Sequence, residues 1–493
     1  MSIQHSAANR GHEWNMARRI LGLTAVLLAF VLSGCSSFRP WQNQPAESRA
    51  ITVKTLAATP PTERSIVAAV TFSGGGARAA AFGLGVLQEL KATEFSWEGQ
   101  PTTLLDEISL VSGVSGGSVL AAYYAAFGDE TLTRFESEFL LTHFESGLIG
   151  YALSPLRLQH LSSPWYGRSH VLAERLETLF RGRTFGDLKN RARGPDLLVT
   201  ATDLTTGAAF EFTAEQFALI CSDLASVPLS FAVAASSSVP ILLSPLTLRN
   251  YAGHCSTGNA VSVQNLDENN YRVRMLRASA ESYLDADDRP YIHLVDGGVA
   301  DNLGVRTMLD RLIAGGSIGA GWRQAPPGSI RKLILIAVNS ERDVAERIDR
   351  SDRVPTTGQV LNTLVFGAGT RETRVTLGLL KDDMQRWQRE LIEERGTQGS
   401  PFAADAELHV ISISLRDVED PSVRRSLLQV PTAFTIDPDE VKGLEQAGRE
   451  ALSRSPEFQR LREQLREPGS FPGRLLAAER GDQTGREDGV TSR

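Results

Sequence analysis

Cysteine is scarce in this sequence: 493 residues contain only Cys35, Cys221 and Cys255. That scarcity excludes more than one intrachain bridge. Equally missing is a concentrated basic stripe, since 51 Lys and Arg stand against 58 Asp and Glu for a net charge of -7. A phosphate backbone has nothing to track along, so nucleic acid is not an expected partner. No internal repeat is found, and the apolar run from Ile20 to Leu32 is too short to span a bilayer comfortably. What remains is a composition with 42% hydrophobic, 22% charged and 7% aromatic residues, able to bury a large core. The length fits one large α/β domain with insertions, with disorder expected only at the ends.

The N-terminus is specific. "MARRILGLTAVLLAFVLSGCSS" places Arg18 and Arg19 before the apolar run and small residues after it, the order of a secretory signal. Met16 would serve as well as Met1 for a start. "LSGC", ending at Cys35, resembles the bacterial lipobox, in which the cysteine becomes the lipid-modified first residue, and Ser36 after it resembles the outer-membrane sorting default. Residues 1–34 are therefore expected to be a lipoprotein-type signal peptide. The protein would then be lipid-anchored through Cys35 at the cell envelope, on the periplasmic face of the outer membrane. In that oxidising compartment Cys221 and Cys255 either pair or remain buried thiols; sequence leaves both open.

Residues 35–64 read as a polar tether, with "PAES" and "TPPTERS". The domain is expected over 65–460, with a polar insertion near 256–288 and a disordered tail over 461–493. Within it, "SIVAAVTF", "ISLVSGV", "DLLVTATDL", "AAFEFT", "YIHLVDGG", "KLILIAVNS" and "LHVISISL" are candidate strands alternating with helical stretches. Strands that are apolar throughout, separated by helices, predict a mostly parallel sheet covered on both faces. Near 372–395, Val375, Leu379, Leu380, Met384, Trp387 and Leu391 make a helical stripe expected to face the core. "HFESGLIGYALSPLRLQHLSSPWYG" is a candidate substrate-facing flap, with core packing as the competing explanation of its aromatics.

"GVSGG", Gly113 to Gly117, fits G-x-S-x-G directly after a buried strand and before an Ala-rich helix. Gly113 and Gly117 would let the backbone turn sharply enough to expose the Ser115 hydroxyl, with a helix N-terminus below it. A nucleophilic serine needs a base and donors for an oxyanion. "SGGGAR" supplies candidate donors in Gly74, Gly75 and Gly76, because consecutive glycines after a strand can aim several N–H groups at one point. The same residues satisfy a dinucleotide pattern, Gly74, Gly76 and Ala79, with Glu94 or Glu98 as ribose ligands, and local spacing does not separate the two readings. No Gly-Lys-Ser/Thr follows, which excludes a P-loop. His254, His293 and His409 are better explained structurally. Asp296 of "VDGGVADN" ends a hydrophobic strand and is the stronger candidate base, while Asp301 fits a helix cap.

Three glycines with an arginine, then a G-x-S-x-G elbow, then D-G-G, each after a strand, resemble the patatin-like lipid acyl hydrolases. "LLVTATDLTTGAAFEF" and "AVAASSSVPILLSPLTL" resemble further segments of that family, so the likeness covers most of residues 66 to about 310. It implies a three-layer α/β/α fold and a Ser-Asp dyad without histidine: Ser115 as nucleophile, Asp296 as base, Gly74 to Gly76 as oxyanion donors, Arg78 as support for the glycine loop. Within that loop Ala79 and Ser73 depart from the family pattern, Ala79 standing where the family has a glycine and Ser73 where an acidic residue is often found. The implied activity is hydrolysis of fatty-acyl esters of phospholipids or related lipids, with no metal or cofactor. A dinucleotide enzyme and a catalytically silent lipoprotein scaffold are the alternatives.

Overall fold

The computed structural model describes residues 37–46, 64–189, 194–254, 269–306, 308–310, 317–322, 324–343, 348, 351–363 and 368–466. The signal-peptide region, Cys35, Cys255 and residues 467–493 lie outside the described residues. Among the described residues no helix is long and apolar enough to cross a membrane.

In chain order, the elements that matter are β1 (Ile66–Phe72), α1 (Ala77–Ala92), the hairpin β2 (Glu94–Trp97) and β3 (Gln100–Thr103), β4 (Ile108–Val114) and α2 (Gly116–Phe127). Next come α3 (Phe144–Ala152), α4 (Pro155–Leu161), α5 (Arg168–Phe180), β5 (Asp196–Asp203), β6 (Ala209–Glu211), α6 (Leu229–Ser236) and β7 (Leu246–Arg249). The chain closes with α7 (Tyr271–Glu281), β8 (Tyr291–Val295), β9 (Ile330–Asn339), α8 (Ala368–Glu394), β10 (Phe402–Ser414), α9 (Pro438–Arg454) and α10 (Pro456–Arg466).

Eight strands form one sheet in the order β10-β9-β1-β4-β5-β8-β7, with β6 beside β5. Pairing is parallel from β10 through β5, and antiparallel where β6 and β8 join β5 and where β7 joins β8. The alternation of side chains explains why the strands read as unbroken apolar runs. On β9, Ile334, Ile336 and Val338 enter one core while Leu333, Leu335 and Ala337 enter another on the opposite face. β1 does the same, with Ile66, Ala68, Val70 and Phe72 on one side and Val67 and Ala69 on the other. Helices α1, α2 and α9 contribute to the first core, and α8 contributes Leu380, Trp387 and Leu391 to the second. The result is the expected three-layer α/β/α arrangement, and the α8 stripe does face the core, although Val375 is exposed.

Small residues set the closest helix contact. A Cβ at Gly85 of α1 would overlap the Glu445 backbone of α9, and one at Gly448 would overlap the backbone of Phe82. The two helices approach at glycine on both sides, which anchors α1 and the loop before it.

Three boundaries differ from those expected. Residues 37–46, inside the expected tether, are pinned to the domain: Asn43 donates to Ser222 Oγ and to the Arg249 carbonyl, both at 2.9 Å. The described part of the expected insertion is integrated rather than peripheral. Asn270 caps α7, Arg272 pairs with Asp383 at 2.8 Å, and buried Tyr283 donates to Asp203 Oδ2 at 2.9 Å. The expected tail begins too early, because α10 carries the chain to Arg466 and buries Phe458, Leu461 and Leu465. Its three apolar residues at helical spacing are enough to hold an otherwise charged helix to the core.

Candidate active site

β1 delivers the chain to the C-terminal edge of the sheet, where side chains are released into the space between loops. Ser73 stops the strand: its N–H donates to the Val338 carbonyl at 3.0 Å and its Oγ accepts from Ser340 N at 2.8 Å. Gly75 and Gly76 then take φ values of 152° and 64°, and Gly76 caps α1. A side chain at either position would be strained and would also collide, at Gly75 with Ser340 and Arg78, at Gly76 with the Ala433 backbone. Gly74 sits against the serine elbow, since a Cβ there would lie 3.4 Å from Ser115 Cβ.

The elbow itself joins β4 to α2. Ser115 is the N-cap of α2 with φ 51° and ψ -125°, a left-handed conformation unfavourable for a residue with a side chain. Its N–H donates to Ser236 Oγ at 2.8 Å. Gly117 packs against the carbonyls of Phe72 and Ser73, and Gly113 against the backbone of Ser118, so neither position has room for a Cβ. Gly116 abuts the Gly76 backbone just as closely, which joins the elbow to the glycine loop.

Asp296 follows β8. Ser115 Oγ donates to Asp296 Oδ2 at 2.8 Å, and Asp296 Oδ1 accepts from Gly298 N at 2.8 Å. Both side chains are buried. Burial pushes the Asp296 carboxyl up from 3.8 to about 6, opposed by the hydrogen bonds from Gly298 and Ser115. Its backbone is fixed as well: the N–H donates to the Ser238 carbonyl at 2.9 Å, and the carbonyl accepts from Thr202 Oγ1 at 2.8 Å.

Ser236 and Ser238 are the residues that sequence reasoning did not single out. Ser236 Oγ, besides accepting from Ser115, donates to the Thr200 carbonyl at 2.6 Å; Ser238 Oγ donates to the Ala234 carbonyl at 2.7 Å. The end of α6 thus holds the backbone of the serine and of the aspartate. A polar triplet buried within "AVAASSSVP" was the available signal.

Of the three expected donor glycines, Gly74 is committed elsewhere, its N–H donating to the Asn302 carbonyl at 3.0 Å. Gly75 and Gly76 N–H groups make no hydrogen bond to another described residue. Arg78 is buried beneath the loop, donating through Nε to the Ser340 carbonyl at 2.9 Å and through Nη1 to the Val430 carbonyl at 2.6 Å. Burial and the Arg342 charge lower it to about 9. Asp301 behaves as a turn cap, accepting from Gly304 N and Arg306 N. The histidines lie elsewhere: His293 contacts Thr247, His409 contacts Glu407, and His254 meets Tyr251. Glu98, a ribose ligand in the dinucleotide reading, accepts from Ser65 Oγ at 2.8 Å, at the opposite end of β1 from the glycines. A strand of that length separates them by roughly 20 Å, too far for one ribose-diphosphate unit to fit as that motif requires. Cys221 is disulfide-bonded, and its partner lies outside the described residues.

A family model described as patatin-like phospholipase matches residues 70–309. No curated protein matches the sequence. Among solved structures, human GIVD cytosolic phospholipase A2 is similar over 82% of this chain and 62% of its own, at 12% identity and a TM-score of 0.40. The same human enzyme in complex with methyl gamma-linolenyl fluorophosphonate covers 82% of this chain and 59% of its own, at 13% identity and a TM-score of 0.38. VipD from Legionella pneumophila covers 85% of this chain and 71% of its own, at 12% identity and a TM-score of 0.28. The chain spans less than two thirds of the length of the two human structures.

Proposed function

Because residues 70–309 carry a patatin-like phospholipase domain, we propose that this protein is a serine lipid acyl hydrolase cleaving fatty-acyl esters of phospholipids or related lipids with Ser115 and Asp296. The observation that carries the reading is the 2.8 Å hydrogen bond from Ser115 Oγ to Asp296 Oδ2. Ser115 Oγ attacks the ester carbonyl while Asp296 takes its proton. The tetrahedral oxyanion is met by N–H groups of Gly75, Gly76 and Gly116 at the N-terminus of α2, and the buried Arg78 cation adds positive potential from below. Asp296 then protonates the leaving alcohol, and water releases the acyl group by the reverse sequence. A carboxyl raised to about 6 is a stronger base than an ordinary one while still ionised at neutral pH.

Two expectations about the envelope accompany this reading. Cys35 is the lipid-modified anchor that keeps the enzyme on the periplasmic face of the outer membrane, and Cys221 pairs with Cys255. Incorporation of labelled palmitate that survives Cys35→Ser would remove the anchor. Free-thiol labelling of both remaining cysteines without reduction would remove the bridge.

The decisive experiment is a fluorophosphonate probe followed by mapping of the modified peptide. Modification is expected at Ser115, and Ser115→Ala is expected to abolish both labelling and release of p-nitrophenol from a medium-chain ester. Full hydrolysis by folded Ser115→Ala protein would overturn the assignment.

A further inference from the structure

Three segments far apart in sequence meet on one side of the molecule. Phe38 stacks on His160 with ring centroids 3.7 Å apart, and Arg39 lies over Trp165 at 3.5 Å. Ser163 Oγ donates to the Phe38 carbonyl at 2.7 Å. Arg168 Nη2 donates to the Ile241 carbonyl at 2.7 Å, and Ser169 N to Ser244 Oγ at 3.2 Å. This face displays large apolar side chains that no core claims: Ile149 and Leu153 are each 62% exposed, one helical turn apart, with Leu158, Trp165, Ile241 and Leu242 also exposed. Ile241 is held at φ 75°, a costly conformation for a β-branched residue, in a loop that starts two residues after Ser238.

Charge distribution identifies the occupant. In a protein of net charge -7, residues 36–46, 146–173 and 224–266 contain no Asp or Glu. The basic residues Arg39 and Arg168 are exposed on this face. Arg157 is balanced by Glu174 at 2.8 Å. Two carboxylates border these segments and both are engaged, Glu145 accepting from Phe434 N at 2.7 Å and Glu174 pairing with Arg157; a surface otherwise without carboxylates, with arginines around projecting aliphatic and indole groups, complements anionic head groups over an acyl layer. The chain also enters the described structure here, at Ser37, directly after the expected anchor.

We propose that this face, built from residues 37–41, 144–168 and 239–244, docks on the surface of an anionic phospholipid bilayer, with Ile149, Leu153, Leu158, Trp165, Ile241 and Leu242 entering the interface. Its consequence for turnover rests on the hydrolase reading; the binding itself does not. The full chain carrying Cys35→Ser, which removes the acyl anchor, is tested for cosedimentation with vesicles of phosphatidylglycerol and phosphatidylethanolamine and with vesicles of phosphatidylcholine alone. Tighter binding to the anionic vesicles is expected, weakening as salt is raised. Ile149→Ser with Leu153→Ser, and separately Arg39→Glu with Arg168→Glu, are expected to reduce binding at least tenfold. Hydrolysis of vesicle lipid should fall in step while turnover of a dispersed short-chain ester is unchanged. Vesicle binding equal in parent and variants, or none in the parent, overturns the proposal. So does lipid-free self-association that the variants abolish without any vesicle binding, which would make this an interface between copies. Vesicle binding that follows the variants in a protein unable to cleave the dispersed ester supports docking and removes the hydrolase reading instead.

Discussion

Asp296 is ionised at neutral pH against the preference of its surroundings, and two measurements follow from that. Its carboxyl titrates near pH 6 rather than near 3.8, so kcat/KM on a dispersed ester should be near its plateau at pH 8 and fall through pH 6 as the base is protonated. A profile flat down to pH 4.5 would remove Asp296 as the base. The second measurement is of stability. Between 3.8 and about 6 the folded chain holds a proton that the unfolded chain has lost, so this residue favours the fold at low pH, and that contribution disappears as pH rises through 6. Asp296→Asn, neutral at every pH, should therefore raise Tm at pH 8 while abolishing turnover; the shift corresponds to an upper bound of roughly 3 kcal/mol. Ser236→Ala is the contrasting case. It leaves the buried Ser115 N–H and Thr200 carbonyl without Ser236, at a cost of about 1–3 kcal/mol, and should lower kcat more than it raises KM. The placement of Ser115 and Asp296 at strand ends was legible because each stands beside glycines. Ser236 and Ser238 were not, since their roles depend on partners 121 residues away in one case and on a backbone amide in the other.

The helices and strands were readable where their pattern was long and uniform. β1, β4, β5 and β9 announce themselves as apolar runs because both faces of the sheet are covered. α7 and α10 were missed because they are mostly polar and are held by a few groups: Arg272 against Asp383 in α7, and Phe458, Leu461 and Leu465 in α10. The contact between α1 and α9 was likewise invisible, because a glycine in a helix does not reveal which backbone it approaches. Gly85→Val should be severely destabilising, several kcal/mol in chemical denaturation, since the Glu445 backbone occupies the space. Gly147→Ala, in exposed α3 where no atom crowds the added methyl, should be neutral or slightly stabilising. Equal Tm values for the two variants would contradict the interlocked packing of α1 and α9.

Taken as a whole, the domain does not end where the resemblance ends. β9 pairs with β1 on one side and β10 on the other, and Ser340, Val430 and Ala433 hold Ser73, Arg78 and Ala77 around the glycine loop. A chain stopped after residue 310 should therefore be insoluble or unable to react with a fluorophosphonate. Arg78→Met in the full chain should unfold at lower temperature and label slowly, because two carbonyls lose their shared donor. One arrangement at the heart of the molecule carries a dynamic consequence. The amides of Ser115 and Asp296 are both tied to the last turn of α6 and the residues just past it, so a displacement of that turn drags the pair in concert. Heating should thus preserve their mutual spacing until the support itself melts, and catalytic competence should vanish in a single step with the global transition rather than erode beforehand.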